Sequence, residues 1–219
     1  MPPGKIRIDD GSGNYTILTN AGSLGSDKTI TIPNETATLA TTTATDLGGL
    51  VKLASATPSG ASEIQFANFV DNSTYSKYKI ILEEVIADTD AAILYFTFLD
   101  ASDADVSGTY KKSGYYAYMD TTGHSFLGNS TSSGFGRTAF NFGNVSEENF
   151  TCEIDFYPNN TKNIAKINNR YIGEWSGGTY LKSDEAYILD TSTAIKGIRY
   201  YMSTGNISAT KATLYGVKK

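Results

Sequence analysis

The chain is poor in the residues that enzymes and metal sites most often use. Its 219 residues include a single cysteine, Cys152, and a single histidine, His124. One cysteine excludes an internal disulfide, and a zinc site would lack its usual cluster of nitrogen and sulfur ligands. A Ser-His-Asp or Cys-His enzyme would depend on one imidazole, which lies in a turn-like segment. These shortages predict a protein that is not an enzyme and that holds no metal and no cofactor.

Charge and long apolar runs are scarce as well. Charged residues make up 19% of the chain, and the formal net charge is −5. The chain has no basic stripe that could follow a phosphate backbone, so nucleic acid is not an expected partner. No apolar run approaches the ~20 residues of a membrane-spanning helix, and the first residues do not lead into a secretory signal. The sequence therefore predicts no membrane span and no export.

Aromatic residues are almost missing from the N-terminal part. Of the 26 aromatic residues (15 Tyr, 10 Phe and 1 Trp), only Tyr15 precedes Phe66. Because aromatic side chains dominate cores and interfaces, residues 1–61 cannot build a normal core of their own. They nevertheless contain short strand-like runs, whose apolar residues include Ile6, Ile8, Ile30, Ile32 and Leu39. We expect residues 1–61 to be an extended N-terminal arm that anchors on a partner through these strands.

From residue 62 onward, the sequence is rich in aromatic strand patterns. The strongest are residues 78–86 and 93–99, and others follow at 114–119, 138–142, 150–156, 165–171, 180–181, 195–201 and 212–215. Turn residues separate them, and no strand alternates with a long amphipathic helix. The fold class predicted is all-β: an antiparallel, jelly-roll-like sandwich over residues 62–219, joined to the arm by a low-complexity hinge over residues 40–61.

Two groups of carboxylates are candidates for chemical sites. Asp100, Asp103 and Asp105 share one segment, and calcium prefers oxygen ligands. The segment lacks the glycine and distal glutamate of an EF-hand loop, so a solvated hairpin turn is the favoured interpretation. The doublets Glu83-Glu84 and Glu147-Glu148 could suggest a glycosidase pair. Adjacent residues on a strand point to opposite faces, however, so neither doublet forms such a pair by itself.

The positions of the cysteine and of several tyrosines indicate which side chains share one face of a strand. Cys152 alternates with apolar neighbours, which predicts a buried structural thiol. Tyr116 and Tyr118 share one face of their strand, and Tyr115 takes the other. Together with Trp175, Tyr116 and Tyr118 are candidates for stacking on sugar rings. A sheet core or a subunit interface is the favoured interpretation, because tyrosine can bury its ring and keep its hydroxyl in water.

Several segments of the chain resemble parts of one known family. Residues 195–208 and 212–218, which end in Leu-Tyr-Gly-Val-Lys, resemble the last two strands of many β-sandwich virion proteins of tailed bacteriophages. Residues 78–85 and 94–98 look like the hairpin near the start of the same domain. Residues 28–40, Lys-Thr-Ile-Thr-Ile-Pro-Asn-Glu-Thr-Ala-Thr-Leu-Ala, are similar to a short element of phage fibre-type proteins. The resemblance touches about half of the chain.

The resemblance implies a non-enzymatic structural protein of the virion, made in the host cytoplasm and usually trimeric. Two roles remain open. One is a capsid decoration (cement) protein that contacts the major capsid protein or other virion proteins. The other is a tail or head fibre module that binds host-surface carbohydrate. The short chain and the lack of a heptad stalk favour decoration.

Overall fold

The structure, a computed structural model, describes residues 5–9, 15–19, 49–118, 124–159, 164–175 and 178–219. The chain divides into two compact units, Met1–Ala44 and Thr45–Lys219. Within the described residues every regular element is a β-strand. In chain order they are β1 (Lys5–Asp9), β2 (Tyr15–Thr19), β3 (Leu50–Ala56), β4 (Ser59–Ala61), β5 (Glu63–Phe66), β6 (Tyr75–Ala87), β7 (Ala92–Leu99), β8 (Thr109–Tyr118), β9 (His124–Ser133), β10 (Gly136–Phe142), β11 (Phe150–Asn159), β12 (Ile164–Trp175), β13 (Thr179–Asp190), β14 (Gly197–Met202) and β15 (Ile207–Lys218).

The first unit contains an antiparallel hairpin made of β1 and β2. Ile6 lies opposite Leu18, and Ile8 lies opposite Thr16. These two strands form a sheet of their own. Of the apolar residues predicted to anchor the arm, Ile6 and Ile8 therefore lie in β1, whereas Ile30, Ile32 and Leu39 lie outside the described residues.

The second unit is an antiparallel sandwich of two unequal sheets. The larger sheet has nine strands in the order β3-β15-β6-β11-β12-β13-β8-β9, with β4 also paired to β15. The smaller sheet has four strands in the order β10-β7-β14-β5. This confirms the predicted all-β fold class, with more strands than the eight of a jelly roll.

Aromatic side chains fill the space between the two sheets. The rings of Phe96 on β7 and Tyr187 on β13 lie 5.2 Å apart in edge contact. Phe98 on β7 lies 5.2 Å from Phe156 on β11. Edge-to-face aromatic pairs stabilise a core beyond the area that they bury. The concentration of aromatics after residue 66 therefore reflects one shared core.

The sandwich begins earlier in the chain than the predicted boundary after residue 61. The segment read as a hinge contains β3 and β4, which both pair with β15: Leu214 lies opposite Ala54, and Ile207 lies opposite Ala61. The sequence did not indicate these strands because β3 lies at the edge of its sheet. An edge strand has one neighbour and buries fewer large side chains than a central one, so small residues suffice.

Inside the sandwich, the largest difference between a predicted strand and the observed one concerns β13. The sequence predicted a strand over residues 180–181 only, which left Lys182, Asp184 and Glu185 outside it. In the structure β13 runs through them, and its side chains alternate between buried and exposed along its described length. The charged residues fit because alternate positions face water.

Candidate functional site

Tyr116 and Tyr118, the candidates for stacking on sugar rings, lie on the inward face of β8. The rings of Tyr116 and Tyr118 contact each other edge to face, with centroids 5.5 Å apart, and both pack against the core. Tyr115 points to the other face and is 42% exposed. The predicted alternation is confirmed. Trp175 ends β12 opposite Thr179, on a strand that β13 separates from β8.

A buried carboxylate lies next to these tyrosines on β13. The Glu185 side chain is fully buried, and one of its oxygens, Oε1, lies 3.9 Å from Nη2 of Arg137. The Tyr187 hydroxyl donates a hydrogen bond of 2.7 Å to the other oxygen, Oε2. The hydroxyl of Ser183 lies 3.2 Å from Oε1. A buried charge is tolerated only with such partners.

The register of the sheet determines which residues of the two neighbouring strands flank Glu185. Gly114 of β8 and Asn169 of β12 lie directly opposite it on either side. A Cβ at Gly114 would lie 2.5 Å from the Asp184 carbonyl oxygen and 2.7 Å from the Glu185 Cα. Glycine is therefore needed for β8 to approach β13 here. Burial lowers the pKa of Lys112, which the charge of Glu185 partly opposes.

These polar groups connect the two sheets. Arg137 and Thr138 belong to β10 of the smaller sheet, whereas Glu185 and Asn169 belong to the larger one. The side-chain amide of Asn169 donates a hydrogen bond of 2.5 Å to the carbonyl oxygen of Thr138. We call Arg137, Thr138, Asn169, Ser183, Glu185 and Tyr187 the inner polar cluster. Its hydrogen bonds and ion pair fix the position of β10 over β12 and β13.

The outward face of the larger sheet carries a charged depression. Its volume is about 280 Å³, and its lining residues come from β11, β12 and β13: Thr151, Glu153, Arg170, Tyr171, Ile172, Lys182 and Ser183. Next to it, Lys79 lies 3.2 Å from Glu153 and 3.5 Å from Asp155. Arg170 lies 3.6 Å from Glu153 and 3.9 Å from Asp155. The pairing of the strands therefore fixes the positions of the charged groups on this surface.

The acidic segment after β7 forms a turn. The Asp100 carboxylate accepts hydrogen bonds from the backbone N–H groups of Ser102 and Ala104, at 2.8 and 3.1 Å, and from the Ser102 hydroxyl. The Ser102 hydroxyl contributes most to lowering the pKa of Asp100. Arg199 donates to both oxygens of Asp105 at 2.6 and 2.7 Å. Among the described residues, no group of three or more His, Cys, Asp or Glu side chains is arranged to hold a metal.

The glutamate doublets belong to different segments of the fold, one to β6 and one to the loop after β10. Glu83 on β6 forms an ion pair with Lys211 at 2.7 Å. Its neighbour Glu84 has a φ of +52°, which marks an irregular position in the strand. Glu147 lies in the loop after β10 and accepts a hydrogen bond from Ser146 at 2.8 Å. Each of these contacts stabilises local structure.

Cys152 is fully buried in the core, as its alternation with apolar residues predicted. Phe150, Ile154 and Phe156 are buried on the same face. Burial raises the pKa of the Cys152 thiol, so the thiolate is disfavoured. His124 begins β9 opposite Ala117, where the sequence indicated a turn.

Comparison with known proteins gives no relative: no family matches the chain, and no curated protein or solved structure is detectably similar to it. The resemblance to phage virion proteins therefore depends on the sequence segments quoted above. Across the described part of the chain, no helix has the length and apolar character needed to cross a membrane.

Sequence reasoning missed both the inner polar cluster and the depression. A signal for the first was present, because Ser183, Glu185, Tyr187 and Leu189 alternate with outward residues. That spacing places Glu185 on the same face as Tyr187 and Leu189. The depression has no such signal, since it depends on which residues of three strands lie opposite each other.

Proposed function

We propose that the protein is a non-enzymatic structural component of a phage virion: a capsid decoration (cement) protein that the N-terminal unit anchors to the shell. The observation that carries this proposal is the division of the chain into Met1–Ala44 and Thr45–Lys219. The second unit has a complete core between two sheets, whereas the described strands of the first form one hairpin.

The hairpin supports an anchoring role for physical reasons. A two-stranded hairpin is at best marginally stable in water, and it gains stability when its apolar face packs on another surface. A partner can add strand hydrogen bonds and give specificity through alternate side chains. Repeated over a shell, many such weak contacts become multivalent. The major capsid protein is the partner that this arrangement implies.

The sandwich supports a structural role through the use of its charged residues. Glu185 and Arg137 connect β10 to β13 inside the sandwich. Asp105 and Arg199 connect the turn after β7 to β14. These groups hold strands together, which suits a rigid projecting domain.

We propose that the assembled form is a homotrimer, as the resemblance implies. Exposed apolar side chains on the sandwich are available for subunit contacts. Leu50 on the edge strand β3 is 53% exposed, and Val145 in the loop after β10 is 47% exposed. Exposed apolar groups at an edge strand favour association between chains.

The test is the copy number of the protein in purified virions, measured by quantitative mass spectrometry against the major capsid protein. A decoration protein is expected in numbers comparable to those of the shell subunit. A few copies per particle would indicate a fibre or vertex part and would contradict decoration. Absence from the particle would contradict the virion role as a whole.

A further inference from the structure

The outward face of the larger sheet carries most of the exposed apolar side chains of the described sandwich. Among the described residues, six large apolar side chains are exposed, and four of them lie on the adjacent strands β12, β13 and β8 of this face: Tyr115, Ile172, Tyr180 and Ile188. Single exposed apolar residues are normal on a protein surface, whereas several on one face mark an interaction surface. We call the outward side of β11, β12, β13 and β8 the outward patch.

The outward patch contains charges of both signs in nearly equal numbers. Arg170 on β12 lies between two carboxylates, Glu153 on β11 and Asp184 on β13. The charged side chains that point outward from these four strands are Lys111, Lys166, Arg170 and Lys182 on the positive side and Glu153, Asp155, Glu174, Asp184 and Asp190 on the negative side. A face of this kind does not select a ligand of one sign, but it can be complementary to itself.

A two-fold axis parallel to the strands, between β12 and β13, makes the outward patch complementary to a second copy of the chain. Such an axis brings the same patch of both copies together. Each residue of β12 then faces the β13 residue of the other copy that lies opposite it in its own sheet. Arg170 therefore faces Asp184 of the other copy, and Asp184 faces Arg170 of the other copy. An axis along β12 or β13 itself would instead set Arg170 or Asp184 against its own image.

The same axis covers the exposed apolar side chains. Ile188 faces Lys166 of the other copy, and Ile172 faces Lys182 of the other copy, because these residues lie opposite each other in the sheet. The methylene stems of lysine side chains can cover apolar surface while the ammonium group stays in water. An axis across the strands, between the rows of Arg170 and Ile172, would place Ile188 beyond Thr179, where β13 of the other copy begins. That axis would leave Ile188 uncovered.

The dimensions of the outward patch suit a weak contact between two sheets. Four strands ~4.8 Å apart, with about ten residues of ~3.3 Å each, cover roughly 600 Å². A standard interface buries ~800 Å² on each partner. Two sheets pack face to face with their strands nearly aligned, which is the geometry that an axis parallel to the strands produces. We therefore expect a dissociation constant in the micromolar range or weaker.

We propose that the outward patch is an interface with a second copy of this chain, related by a two-fold axis that pairs Arg170 with Asp184. The contact is separate from Leu50 and Val145, the side chains assigned above to the trimer. It joins two single chains or two trimers in the same way, and it does not depend on the proposed virion role.

The test is the molar mass of the full chain in sedimentation equilibrium over a range of concentrations. The mass of the original chain should double as the concentration rises. Arg170→Asp and Asp184→Arg each set like charges across the axis, so neither variant should double its mass. Lys211→Asp, on β15 outside the patch, changes the net charge as Arg170→Asp does and should associate like the original chain. Circular dichroism and cooperative melting establish that each variant is folded.

A mixture of Arg170→Asp with Asp184→Arg separates a contact between chains from an effect within one chain. In a mixed pair, both contacts across the axis regain opposite charges, so the mixture should associate within about tenfold of the original affinity. The chain has a net charge of −5, and each substitution changes it by two, so both variants stay negative. Overall attraction between the variants therefore cannot account for association of the mixture.

A variant without a charge change covers the case in which a charge-reversed chain does not fold. Ile188→Ser removes one apolar contact from each copy and should weaken the association by about tenfold. Unchanged association of folded Ile188→Ser would overturn the proposal.

Three other results would overturn it as well: no doubling by the original chain, doubling by folded Arg170→Asp, or no association of the two folded variants on mixing. A trimer whose mass does not double would support the proposed trimer and still overturn this contact. Doubling by a chain that is absent from virions would support this contact and contradict only the virion role.

Discussion

Glu185 lies on the inward face of β13, where water cannot solvate it. Its contacts with Arg137 and the hydroxyl of Tyr187 replace that solvation. Breaking such a pair leaves a buried charge without compensation, which costs more than the pair contributes over apolar residues of similar size. The inner polar cluster therefore makes the position of β10 sensitive to single substitutions.

Substitution of Arg137 by methionine should lower the free energy of unfolding by about 2–3 kcal/mol, because Glu185 keeps its charge but loses its nearest cation. Urea denaturation followed by tryptophan fluorescence measures the effect. The double variant Arg137→Met with Glu185→Leu should recover most of the loss, since no buried charge remains. Lys211→Met removes an exposed ion pair with Glu83 and should leave stability unchanged. Equal loss in all three variants would contradict a specific role for the cluster.

Asp71 is a second single residue that contributes to the stability of the fold, and its contribution depends on pH. The Ser73 hydroxyl, which donates to the Asp71 carboxylate at 2.5 Å, contributes most to lowering the pKa of Asp71 from 3.8 to about 2. A carboxyl group with a lowered pKa in the folded state stabilises the fold above its unfolded pKa. That stabilisation is lost as the pH falls through the folded pKa.

The Asp71→Asn variant should therefore lose less stability than the original protein between about pH 4 and pH 2. Thermal melting at a series of pH values in this range measures the difference in slope. Asp90→Asn, an exposed carboxyl in another loop, serves as the comparison. Identical slopes for Asp71→Asn and the original protein would contradict the lowered pKa.

At the scale of strands, close approach between β8 and β13 depends on one glycine. Gly114 lies opposite Glu185, and the register of β8 with β9 shifts between Lys112 and Gly114. Glu185 belongs to the inner polar cluster, so the row that needs a glycine on β8 also carries the buried carboxylate on β13.

Gly114→Ala should lower the free energy of unfolding by about 1–3 kcal/mol, because the added methyl group meets backbone atoms that cannot move independently. Chemical denaturation measures it. Ser113→Ala, at the exposed position next to it, is the control and should change stability little. A Gly114→Ala variant as stable as the control would show that the two strands can separate without cost.

Sequence patterns predicted β6 and β7 and missed β3 and β9. β6 and β7 are rich in large apolar residues at alternate or consecutive positions. Both the spacing and the composition of these residues therefore predict strands. β3 and β9 each have a single described neighbour in the sheet and consist largely of small or polar residues. Their pairing depends on the strand beside them, which no local pattern reports. The charged depression was unpredictable for the same reason, since register brings Glu153 and Arg170 together.

At the scale of the whole molecule, the division after Ala44 indicates that the second unit can fold without the first. The buried core belongs to residues from Ile64 onward, and β3 and β4 complete the larger sheet. A fragment of residues 45–219 therefore contains every strand of both sheets. We expect it to fold alone and to unfold cooperatively, because its two sheets share one core.

The most direct test of the account compares the full chain with residues 45–219 in co-sedimentation with virions that lack the protein. The account predicts that the full chain sediments with the particles. The fragment, shown to be folded by circular dichroism and cooperative melting, should remain in the supernatant. Equal binding by the folded fragment would contradict anchoring by the N-terminal unit, and failure of both proteins to bind would contradict the decoration role itself.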